Sequence, residues 1–177
     1  MLRKIIRQQK AFIQHQLRRS GTGFTLIELL IVIAIIAALA IAVFVALNPQ
    51  KRIEDAQNAA RTSDVDTILT AIHASIVDNK GALPTGLTTD MEETQLGTDA
   101  SGCTISTGGC GVAAAACVDL STPLAKYLGL VPVDPSGGTT YTSAKTGYSV
   151  TVNANNIVTI RACGKEGAAN PEIFATR

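Results

Sequence analysis

Gly23-Phe24-Thr25-Leu26-Ile27-Glu28-Leu29-Leu30, read GFTLIELL, stands at the head of an apolar run and decides how the chain is read. From Leu29 to Leu47 follow nineteen residues with no charge and no strongly polar side chain. At about 1.5 Å of rise per helical residue they cover roughly 28 Å, close to a bilayer hydrocarbon core of about 30 Å. One carboxylate, Glu28, sits at the edge of this span. A charge there is costly and calls for a partner.

Outward from the span, charge is distributed unevenly. Of fifteen Lys and Arg residues, six (Arg3, Lys4, Arg7, Lys10, Arg18 and Arg19) precede Phe24, and all fourteen acids follow it. A basic head before an apolar span reads as cytoplasmic by the positive-inside rule. Residues 1–20 could form a short amphipathic helix on the inner leaflet. Everything after Leu47 is then expected outside the membrane. That outer part is acidic and has no basic cluster, which argues against a nucleic-acid surface. The run is too long for a signal-peptide core of about 7–15 residues. No cysteine lies near its start to take a lipid.

Asn48-Pro49 interrupts the run, because proline lacks an amide donor and clashes with the preceding turn. Beyond it Ile53, Ala56, Ala60, Val65, Ile68, Leu69, Ile72 and Ile76 recur at three- and four-residue steps, a helical stripe. Arg52, Glu54, Asp55, Asn58, Arg61 and Asp66 are expected on the opposite face. Gly81 is placed to cap the helix in a left-handed conformation. Phe24 to Lys80 therefore reads as one long helix with a weak point at Asn48-Pro49. From Gly81 to Ala116 glycine, serine and threonine dominate, and a surface loop is expected. Val118–Gly129 has a short helical pattern through Leu120, Leu124 and Leu128. Thr139–Thr142, Tyr148–Val152 and Ile157–Cys163 are rich in β-branched and aromatic residues and read as strands. The fold class is α+β, a long helix on a small antiparallel sheet.

At Gly23-Phe24-Thr25-Leu26-Ile27-Glu28 the sequence resembles the type IV pilins and the related pseudopilins of type II secretion. The resemblance is strongest over residues 18–47 and extends over Pro49–Lys80. It implies a basic leader, 1–23, removed by a membrane-embedded aspartyl prepilin peptidase that cuts between Gly23 and Phe24. The new N-terminus, Phe24, would be N-methylated. Residues 24–47 would form the membrane and filament-core helix, 48–80 an amphipathic helix, and 81–177 an extracytoplasmic α+β head. The precursor would be a single-pass protein of the inner membrane, N-terminus in and C-terminus out. An assembly platform in that membrane would then place it in a homo-oligomeric helical filament. In such a filament the Glu28 carboxylate would meet the Phe24 amine of a neighbour. A charge in an apolar bundle is tolerated when paired, and removing one member strands the other. The bland alternative is a glutamate that snorkels to the headgroups. Ala34, Ala37, Ala38, Ala40 and Ala42 offer small contacts for close helix packing.

Leu130-Val131-Pro132-Val133-Asp134-Pro135-Ser136-Gly137-Gly138 is similar to a Pro-x-Asp-Pro turn of major pseudopilins, which can carry calcium in a later loop. Here no acidic cluster lies between Asp134 and Glu166. Asp134 is therefore read as a turn residue, with no calcium site.

Four cysteines, Cys103, Cys110, Cys117 and Cys163, lie on the outer side, where disulfides persist. Their spacing does not give the paired CxxC ligands of a zinc site. No metal or other cofactor is expected. Three pairings are possible, and Cys103–Cys110 with Cys117–Cys163 is the expected one. His73, beside the helical stripe, reads as a partly exposed surface residue, and His15 belongs to the leader. Ser149 and Thr151 lie on a strand without a catalytic motif. No nucleophile, base and orienting acid occur together, so the chain is not expected to be an enzyme. The leading reading is a structural subunit. The alternatives are a minor tip or adhesin-like binding module on a pilin-type anchor, and an enzyme with a single-pass anchor.

Overall fold

The computed structural model describes residues 23–103, 110–111, 116–136, 140–165 and 172–177. The basic stretch 1–22 with its expected helix, the glycines at 137 and 138, Thr139 and Glu166 lie outside them. The chain divides into two units, one ending at Asn48 and one beginning at Pro49.

The first unit is helix α1, Leu26–Leu47. Thr25 caps its N-terminus, and Asn48 ends it in a left-handed conformation at φ 39°. None of its 22 residues is buried. The helix is apolar on every side, so the hydrophobic surface that ordinarily fixes a helix against a core has no partner among the described residues.

The second unit opens with α2, Pro49–Asp78. Proline suits the first helical position, where its missing N–H costs nothing. The helical path thus runs from Leu26 to Asp78 with Asn48 as its one interruption. α2 ends near the glycine at 81, at Asp78, two residues before the expected Lys80. Lys80 is the first left-handed residue (φ 57°), its N–H reaching the Val77 carbonyl. The Gly81 N–H reaches the Ile76 carbonyl, which completes a Schellman closure.

The packed face of α2 is Arg61, Val65, Ile68, Leu69, Ala71, Ile72 and Ser75. Two expectations change here. Ile53 is exposed, as is Ala56, so packing begins about two turns later than the apolar stripe. Arg61, expected on the solvent face, is fully buried.

Four antiparallel strands form one sheet in sequence order: β1 Met91–Gln95, β2 Tyr148–Val152, β3 Val158–Ala162 and β4 Phe174–Thr176. α2 packs against β3 and β4. Val150 and Val152 of β2 and Val158 and Ile160 of β3 join Ile68, Leu69 and Ile72 in one core. Leu87, Leu96, Leu120 and Leu124 complete it. Asn153 turns β2 into β3, its side chain accepting from the N–H groups of Asn155 and Ile157. β1 lies inside the stretch expected to be loop. Its sequence, MEETQ, lacks apolar alternation; the strand rests on backbone pairing with β2. Around 118–129 the expected helix is a run of turns. Leu128 N–H reaches Leu124 carbonyl and Leu124 N–H reaches Leu120 carbonyl, but no regular helix forms. Of the expected strand at 139–142, the described part contributes one bridge, Thr142 with Lys145.

Candidate functional site

The N-terminal site is built from Gly23 to Glu28. Thr25 holds an extended backbone (φ −73°, ψ 151°), which sets its side chain over the first turn of α1. Its hydroxyl accepts from the Glu28 N–H at 3.3 Å. In return the Glu28 carboxylate accepts from the Thr25 N–H at 2.9 Å and from the Thr25 hydroxyl at 2.8 Å. This is a capping box, and it satisfies two of the orphan donors at the helix start. It also places the carboxylate where the positive end of the helix dipole favours an anion. Thr25 is the residue that a reading focused on charge overlooks; the spacing Thr-x-x-Glu signals it.

Phe24 is 84% exposed, one residue before the cap. A Cβ added at Gly23 would meet nothing within 4 Å. Among the described residues nothing demands glycine at 23. After Glu28, α1 offers an unbroken apolar cylinder, with Ile33, Ile36 and Leu39 among its exposed side chains. Its 22 residues span about 33 Å, enough to cross a membrane.

A second polar cluster lies in the other unit. The Arg61 guanidinium grips Asp134 with two bonds, Nε to Oδ2 and Nη2 to Oδ1, each 2.8 Å. Both side chains are fully buried. Asn58 and Ser136 also accept from Arg61. One turn along α2, Asp64 accepts from the Tyr148 hydroxyl at 2.6 Å. Burial works to raise the Asp134 carboxyl, but the bonds from Arg61 and Ser136 outweigh it, and the carboxyl is held below its ordinary value. Burial and the Asp64 carboxylate push the Tyr148 phenol well up. Asp134 keeps its expected turn role, since it accepts from the Ser136 N–H at 2.9 Å. Its larger part is to tie the turn to α2. Backbone must come close to allow this: a Cβ at Gly164 would stand 2.6 Å from Asp134 Oδ2.

The four cysteines form two disulfides, but not with the expected partners. The bonds are Cys103–Cys117 and Cys110–Cys163, with Cα separations of 5.1 and 4.9 Å. The cause is long-range. Val118 bridges Leu96 at the end of β1, which carries Cys117 to that strand end. Gln95 Nε2 donates to the Cys103 carbonyl at 2.9 Å and brings Cys103 to the same place. Cys163 ends β3 beside Gly147, and Cys110 lies 3.1 Å from Ser149 on the neighbouring β2.

The remaining candidates resolve as structural. Ser149 is buried and donates to Glu93 at 2.7 Å. His73 is half-buried, with Nε2 lacking a partner among the described residues. Among the described residues no three His, Cys, Asp or Glu side chains come together as a metal-ligand set.

Residues 18–44 match the family described as the prokaryotic N-terminal methylation motif, which is characteristic of type IV pilins and pseudopilins. The chain thus carries a pilin-type N-terminal motif. No curated protein and no solved structure matches it significantly. This motif takes in the capping box and most of α1, and stops before Pro49. Beyond the motif, the helix Pro49–Asp78 on the four-stranded antiparallel sheet completes an α+β, pilin-like arrangement.

Proposed function

We propose that the chain is a structural subunit of a type IV pilus or of a type II secretion pseudopilus. The observation that carries this reading is the methylation motif at 18–44, continuous with an apolar helix that has no buried residue. Such a helix is stable in lipid, where its backbone groups are satisfied internally. It is equally suited to a bundle of identical helices, where neighbours replace lipid. Residues 1–23 act as a leader and keep the N-terminus cytoplasmic through their six basic side chains. Prepilin peptidase cuts after Gly23, and Phe24 becomes the methylated N-terminus. Residues 24–47 form the filament core, 48–80 the amphipathic stem and 81–177 the extracytoplasmic head. Glu28 pairs with the Phe24 amine of a neighbouring subunit and fixes axial register. The role is structural rather than catalytic.

Intact-mass analysis of surface protein tests this. The expected species begins at Phe24 and carries one added methyl group. Surface protein that still begins at Met1 would end the proposal. Abundance in purified filaments then distinguishes a major subunit, which dominates the preparation, from a minor tip protein.

A further inference from the structure

We infer that this chain is a substrate of a thiol–disulfide isomerase as well as of a dithiol oxidase. The inference rests on the proposed export of the head, and its basis is the order of the disulfides. Along the chain the cysteines are Cys103, Cys110, Cys117 and Cys163, and the bonds join first to third and second to fourth. Neither bond joins consecutive cysteines, and the two interleave.

A chain crossing the membrane from its N-terminal side presents Cys103, Cys110 and Cys117 before Cys163. Three closures are then open. Two of them, Cys103–Cys110 and Cys110–Cys117, close spacings of seven residues; the native one closes fourteen. Loop closure falls as about the 3/2 power of length, so each short loop is favoured about 2.8-fold over the native loop. By that measure about one chain in seven closes the native bond first. What favours the native pair is the folded sheet. In the folded protein Cys103 and Cys117 are held side by side by the Val118–Leu96 bridge and by the Leu96 N–H bond to the Tyr148 carbonyl. Cys110 has its partner only once β3 is in place.

Where oxidation outruns that folding, the short loops close first. Each pair that closes gives up two protons and two electrons to the disulfide of the oxidase. A chain that has closed Cys103–Cys110 still holds two thiols, and a second oxidation joins Cys117 to Cys163. This product has no thiolate of its own, so only an external one can reopen it. The isomerase thiolate attacks the Cys103 sulfur, breaks the Cys103–Cys110 bond and releases the Cys110 thiolate. Cys110 attacks the Cys163 sulfur, forms Cys110–Cys163 and releases the Cys117 thiolate. Cys117 attacks the mixed disulfide at Cys103, forms Cys103–Cys117 and returns the isomerase as a thiolate. Two bonds break, two form, and no net electrons move.

The test uses the full chain, expressed in cells with and without their extracytoplasmic disulfide isomerase, and non-reducing peptide mapping. With the isomerase, Cys103–Cys117 and Cys110–Cys163 should dominate. Without it their share should fall several-fold, with Cys103–Cys110 or Cys110–Cys117 in their place. An equal share of native pairing in both strains would overturn the inference and leave the export reading intact. Four free thiols in both would overturn both. In a Cys110→Ser/Cys163→Ser double variant the competing partner is gone, and Cys103–Cys117 should form without the isomerase. A continued need for isomerase in that variant would equally refute the inference.

Discussion

Replacing Arg61 with methionine removes one half of the fully buried ion pair while keeping most of the side-chain volume. Asp134 then loses both guanidinium bonds, each 2.8 Å, and retains the Ser136 N–H at 2.9 Å. A carboxylate left buried with only Ser136 to bond it is costly, and breaking such a pair destabilises by about 3–5 kcal/mol. For a unit of this size that is a fall in Tm on the order of 10–20 °C. Removing both charges, as Arg61→Met with Asp134→Leu, should restore much of the loss, because the desolvation of two ions goes with the attraction. The pair also sets a pH dependence. Asp134 titrates lower in the folded protein than unfolded, so its contribution is complete above the unfolded value, about 3.9, and is lost as pH falls through the lower folded value. The gap between wild type and Arg61→Met should therefore close in acid. The assay is thermal unfolding of the full chain in detergent micelles, followed by near-ultraviolet circular dichroism. All three tyrosines, Tyr127, Tyr141 and Tyr148, lie in the second unit and report on it. A single variant within about 1 kcal/mol of wild type, or a double variant as weak as the single, would refute the assignment.

Tyr148→Phe removes the hydroxyl bonded to Asp64 and should cost about 1.5–3 kcal/mol by the same assay, as for a hydrogen bond to a charged group. Opening the disulfides separately, as Cys110→Ala/Cys163→Ala and Cys103→Ala/Cys117→Ala, should cost about 4 and about 3 kcal/mol on chain entropy. The order follows from separations of 53 and 14 residues, and urea midpoints in the reverse order would contradict it. Glu28→Ala, as the only copy in the cell, should insert and be processed but build no filaments visible by electron microscopy. Glu28→Gln should fall between, since it accepts hydrogen bonds but carries no charge. Normal filaments from Glu28→Ala would remove the assembly role.

Where sequence pattern and structure agree, the reason is short range. The apolar run and the Thr25-x-x-Glu28 spacing announce the start of α1 without reference to any other part of the chain. β2 and β3 are legible because YSVTV and VTIRA alternate β-branched or aromatic residues on the face that meets α2. β1 and β4 are not. MEETQ has no buried stripe of its own, and FAT is three residues long, so both strands exist through pairing with a neighbour distant in sequence. Arg61 was hidden for a related reason. A charged residue beside an apolar stripe reads as solvated until its counter-ion, 73 residues away, is known. The disulfide partners depend on the Leu96–Val118 bridge, which no cysteine spacing encodes.

In the proposed filament the capping box bears on how firmly one subunit would hold the next. In the single chain the Glu28 carboxylate is not idle; Thr25 already supplies it with two donors. Meeting a neighbour's amine is therefore an exchange of partners, and the gain is the difference between two satisfied states. Such a contact discriminates position sharply while adding little net adhesion. A filament held this way draws its cohesion from many apolar helix contacts and its alignment from one polar swap. Outside the proposed filament the carboxylate folds back onto its own threonine, so the same six residues would suit both the single chain and the assembled one.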